Sequence, residues 1–141
     1  MISELIVTDL THMTSSRICV ACVNNQGVSI RPKYWHRSIQ PDWCFHDRQV
    51  IQPFSKLQLD LEEQDPHPPH TEDWYIRDGF LNITGIIQPD QRKALLKGIL
   101  DKNIDSIFGA EINHAETGGY YIRSGEGNRS LGTVHIHNAQ S

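Results

Sequence analysis

Between Lys56 and Leu61 the chain reads KLQLDL, with Leu57, Leu59 and Leu61 on one side and Lys56, Gln58 and Asp60 on the other. Side chains alternate across a strand, so this stretch predicts a half-buried one. SELIVTDL predicts a first strand over Leu5 to Leu10. RICVACV, Arg17 to Val23, is short and β-branched, as buried strands are. Asn24-Asn25-Gln26-Gly27 is turn chemistry, because Asn and Gly tolerate positive φ. VSIRP then places Val28 and Ile30 on one face and Ser29 and Arg31 on the other, completing a hairpin that Pro32 ends or puts at an edge. FLNITGII, GYYIRS and LGTVHIH predict further strands, the last two joined by the loop SGEGNRS. One helical period interrupts them. Leu95, Leu96, Ile99 and Leu100 recur at helical spacing after Pro89-Asp90, Gly98 weakens the helix from inside, and Gly109 closes the region.

Many strands with one or two short helices predict a mainly β, compact α+β fold built on a small OB-like barrel. The 141 residues suit one domain and can bury roughly two thirds of the surface the unfolded chain exposes. Thirteen Lys and Arg against seventeen Asp and Glu give a net charge of −4, which argues against coating duplex DNA by bulk charge. A local basic site for a short strand or nucleotide is compatible with it. The cysteines are Cys19, Cys22 and Cys44, too few and too odd for a disulfide framework. Neither a basic leader nor a long apolar run is evident, so a cytoplasmic protein without membrane contact is expected.

Three blocks carry a likeness: SSRICVACVNNQGVSIRP (Ser15 to Pro32), DPHPPHTEDWYI (Asp65 to Ile76) and GEGNRSLGTV (Gly125 to Val134). Through them the chain resembles the bacterial Dual OB-containing domain family. The resemblance implies one compact domain over 1–141, with OB-like sub-units at 1–64 and 74–141 joined by a Pro-rich connector at 65–73. It also implies recognition of a nucleic acid or nucleotide.

Candidate ligand contacts come from cations set among aromatic rings. Arg17 opens one hairpin strand and Arg31 closes the other; Lys33 and Trp35 follow at once. Rings stack on bases and guanidinium forks grip phosphates, so these residues could hold a single strand; solvated charges around a core Trp35 are the simpler alternative. Arg129 and Ser130 sit in SGEGNRS, whose amides could nest an anion or merely form a flexible turn. Convergence of Arg17, Arg31 and Arg129 on one concave pocket is the geometry this reading requires. No cofactor or metal is expected, and assembly with further copies of the chain stays open.

A second reading is enzymatic. His135 and His137 share a face of a predicted strand, and His114 is a further candidate. Such imidazoles could cleave RNA phosphodiesters without a metal, for example in a cyclic oligonucleotide signal of bacterial antiviral defence. A third reading is a protein-interaction module using exposed β edges. Cys19 and Cys22 have CxxC spacing, but a three-residue offset in a strand points them to opposite faces, as for buried inert thiols. In DPHPPHTEDWYI, Pro66, Pro68 and Pro69 favour an extended polyproline-like path that would put His67 and His70 on one side. Those two with Asp65 or Glu72 could chelate a metal. A stiff connector anchored by Trp74 and Tyr75 is the simpler account.

Overall fold

A computed structural model of the chain describes residues 1–46 and 48–136. The strands are β1 (Ile2–His12), β2 (Ile18–Val23), β3 (Ser29–Lys33), β4 (Phe45–His46), β5 (Gln49–Val50), β6 (Ser55–Gln64) and β7 (Asp73–Ile86), followed by helices α1 (Pro89–Gly98) and α2 (Asp105–Phe108) and by β8 (Asn113–Ala115) and β9 (Gly119–Tyr121). β1, β2, β3, β7 and β6 close into a barrel in that order, β6 returning to β1. The β3–β7 pair is parallel and the other four are antiparallel. Counted within the barrel, the order is first, second, third, fifth, fourth, an OB-like arrangement with no free edge.

The alternation in KLQLDL explains the interior. Leu57, Leu59 and Leu61 point inward and are essentially inaccessible, alongside Leu5, Val7, Val20 and Ile76. The hairpin forms where the Asn-Gly signal places it: Asn24 Oδ1 accepts the amides of Gln26 and Val28, each at 2.9 Å, and Gly27 takes φ +77°. The connection between β3 and β6 plugs the barrel with Ile39, Trp43 and Ile51. Cys22 lies inside and Cys19 faces outward, half-buried; burial pushes both thiols up from their ordinary range.

Three expectations change. The prolines do not run as an extended polyproline segment: a His70 amide to His67 carbonyl bond of 2.7 Å closes residues 67–70 into a turn. Residues 65–72 are therefore the loop between paired strands β6 and β7, and the barrel takes strands from both sides of them. The predicted helix stops at Gly98, because Leu100 leaves the helix to bridge Thr133 and only α2 resumes it. GYYIRS contributes β9, but to β8 rather than to LGTVHIH. From Leu131 to Ile136 the backbone is irregular apart from that bridge, since the Thr133 amide donates to Asp101 at 3.0 Å. His137 lies outside the described residues.

No helix of the described residues is long and apolar enough to cross a membrane. Leu59→Ala should cost about 2–5 kcal/mol through loss of a fully buried side chain at the centre of β6. The urea-denaturation midpoint should fall while the slope stays constant.

Candidate functional site

The outer face of β2, β3 and β7 gathers much of the predicted ligand set. Arg31 makes a two-pronged bond to Asp73, with Nε–Oδ1 at 2.6 Å and Nη2–Oδ2 at 2.9 Å. Lys33 donates to Asp65 at 2.9 Å and lies 3.7 Å from Asp73. Trp35 stacks on Tyr75 with ring centroids 3.8 Å apart, and its Nε1 donates to Glu62 at 2.9 Å. Burial is the largest single influence and works against the charges of Arg31 and Lys33, yet their bonds to Asp73 and Asp65 and the nearby negative charges together outweigh it and raise both pKa values. These cations are matched by carboxylates within the fold, so a phosphate arriving here meets a face already neutralised.

Arg17 stands on the loop between β1 and β2, exposed, with its donors on the Thr14 carbonyl at 3.2 Å and the Thr14 hydroxyl at 3.4 Å. Arg129 is held elsewhere, by the Asp101 carboxylate and by the Ile107 carbonyl at 2.6 Å. It clamps residues 101–107 to the C-terminal segment. The Gly-rich loop is likewise turned inward. Amides of Gly125, Asn128 and Ser130 donate to Pro68, to Phe108 and to Glu72. A Cβ on Gly127 would come within 2.8 Å of the Phe108 carbonyl, so that glycine permits close packing of the loop on its neighbour.

A different place in the molecule is open. The β6–β7 loop, residues 65–72, meets the C-terminal unit that follows β7, residues 89–136, along a cleft of about 1310 Å³. The barrel side supplies His67, Pro68, Pro69 and His70. The other walls supply Lys102, Asn103 and Ile104 before α2, Tyr120 and Tyr121 of β9, and Ser130, His135 and Ile136. Tyr120 is 77% exposed, and Ile104 and Ile136 are also largely exposed, so the lining offers apolar surface to a ligand. Of the six predicted ligand contacts, Ser130 alone lines it. Among the histidines first considered for catalysis, His135 lines it, while His114 packs edge-on against Tyr120 at 5.1 Å.

The loop is shaped from within. Asp65 bonds Asp73 across the base through its amide at 2.8 Å, and Gln64 Nε2 donates to the Thr71 carbonyl at 2.8 Å. Glu72, nearly inaccessible, accepts both the amide and the hydroxyl of Ser130. His70 Nδ1 lies 2.8 Å from that same hydroxyl, and His67 Nδ1 lies 2.6 Å from Asp65. Among the described residues no three His, Cys, Asp or Glu side chains form a group that could hold a metal ion. The weight of His67, His70, Tyr120 and Lys102 at the site was not readable as a set, because only the fold brings positions 67 and 120 to one cleft.

No protein-family model, curated protein or solved structure matches the chain.

Two outcomes test this electrostatic picture. Arg31→Ala should destabilise the protein by about 3 kcal/mol, because it strands a largely buried Asp73; urea denaturation reads this. Lys33 holds the Asp65 carboxyl below its ordinary range, so the stability it contributes is present above the unfolded value of about 3.9 and is lost as pH falls through the lower folded value. Lys33→Met should move the Asp65 carboxyl resonance back toward ordinary titration in an NMR pH series.

Proposed function

We propose that the protein is an OB-type module that binds a short single-stranded oligonucleotide or a nucleotide in the cleft between the β6–β7 loop and the C-terminal unit. Membership of the Dual OB-containing domain family is part of this proposal. One observation carries it: the cleft is walled by the loop joining the barrel's fourth and fifth strands, a loop that OB folds use for oligonucleotides and oligosaccharides.

The chemistry of the walls supports the nucleotide over the sugar. Tyr120 and Tyr121 present rings on which bases could stack, and such stacking is tolerant of sequence. Lys102 supplies a cation, and the imidazoles of His67 and His70 supply hydrogen-bonding edges for phosphate or base. Ligand pockets for small molecules span about 300–1,000 Å³, so this volume suits more than one nucleotide. A net charge of −4 fits binding confined to one patch, with modest salt dependence. Arg31 and Lys33 act beneath the site in this reading: Lys33 steadies Asp65 at the base of the loop, and Arg31 steadies Asp73 beside it.

Fluorescence anisotropy with labelled pentauridylate and pentathymidylate tests the proposal. Tyr120→Ala and Tyr121→Ala should each weaken binding roughly tenfold, in line with about 1–3 kcal/mol per stacked base. Lys102→Ala should lower the salt slope by about one. Absence of binding by either strand at millimolar concentration removes the proposal.

A further inference from the structure

We propose that His67 and His70 form a general acid–base pair that cleaves an RNA phosphodiester lying in the cleft. The inference rests on the oligonucleotide reading of that cleft and adds an activity to it.

Each ring has a carboxylate behind it. His67 Nδ1 lies 2.6 Å from Asp65 Oδ1, and Lys33 donates to the other Asp65 oxygen at 2.9 Å. The ionised carboxylate, an acceptor only, stands beside Nδ1 as an ion-pair partner and favours hydrogen on that nitrogen. His70 reaches its carboxylate through a hydroxyl. Ser130 gives its one hydroxyl proton to the buried Glu72, and its oxygen must therefore accept from His70 Nδ1 at 2.8 Å. In each ring the nitrogen left for a ligand is Nε2. Both side chains are exposed and both line the cleft. The 2.7 Å turn bond from the His70 amide to the His67 carbonyl keeps them side by side.

Two neighbouring imidazoles, each with Nε2 toward the cleft, can carry the transfer of an RNA phosphoryl group to the neighbouring hydroxyl. Neutral Nε2 of one ring takes the proton of the ribose 2′-hydroxyl as O2′ attacks phosphorus. The P–O2′ bond forms, the P–O5′ bond breaks, and the protonated ring of the other residue delivers its proton to the leaving O5′. The products are a 2′,3′-cyclic phosphate and a 5′-hydroxyl, with no net proton change and no further reactant. Lys102, on the opposite wall, is placed to offset charge that develops on the non-bridging oxygens. Asp65 and Ser130 act as positioning residues behind the rings. A DNA strand lacks the attacking hydroxyl, so it should bind and remain intact.

The test uses the full chain in EDTA with labelled pentauridylate, cyclic tetra-adenylate and pentathymidylate, products being read by mass spectrometry. Expected is cleavage of at least one ribonucleotide to cyclic-phosphate ends, slowed about 100-fold or more in His67→Gln and in His70→Gln. Pentathymidylate should stay intact with the native chain and with both variants. His67→Ala and His70→Ala, checked by their melting curves, provide a second pair should a Gln side chain perturb the loop. Binding of every strand without cleavage overturns the acid–base pair and leaves the oligonucleotide site standing, as does cleavage that neither pair of variants slows. Failure of all three probes to bind removes both readings together.

Discussion

A carboxylate that folding hides from water must find donors, and Glu72 finds them on a segment almost sixty residues away. The Ser130 amide and hydroxyl both turn to it, while Arg31 lies close enough to feel its charge. With the Gly125 amide on Pro68 and the Thr71 hydroxyl on Asn128, that junction seats the C-terminal unit against the barrel, next to the β6–β7 loop. Leaving a buried carboxylate without its donors costs several kcal/mol, so the two parts of the chain are joined at a point where separation is expensive.

Around that junction runs a chain of alternating charge. Arg31 faces Asp73, Asp73 approaches Lys33, Lys33 grips Asp65, and Asp65 receives His67. Each member is oriented by the next, so rigidity in the barrel wall reaches the lip of the cleft. Here the cationic outer face of β3 works as a support, and the reactive-looking surface is displaced by one loop. The C-terminal segment reinforces the displacement. Residues 131–134 lie with Ala21, Val23 and Ser29 around one small cavity, which accounts for the burial of Ala21 and Val23 on the outer side of β2.

Local patterns were legible where local physics decides. Leu57, Leu59 and Leu61 announce an inward face, Asn24 to Gly27 announces a hairpin, and the barrel class follows from many strands with little helix. The partners of the charges were not legible. Arg31 and Asp73 are 42 positions apart, and nothing near either one distinguishes a committed guanidinium from an open one. LGTVHIH looks like a strand by alternation, but its Thr133 amide is claimed by Asp101 and its backbone at Gly132 is pressed against Ile107. The histidines divide in the same way. Extended prolines would put His67 and His70 on one side of their stretch, but a tight turn is what holds them together.

The parallel contact between β3 and β7 also orders events in time. Residues 29–33 must wait for residues 73–75 before their second edge is covered, and β1 must wait for β6. During synthesis the hairpin of β2 and β3 therefore emerges early with an open edge, and the barrel can seal only after the ribosome has released β7. Contacts of such long sequence separation slow folding, and an unsealed strand edge invites association with other nascent chains. A cell making this protein has most to gain from a chaperone during the interval between translation of Lys33 and translation of Ile86.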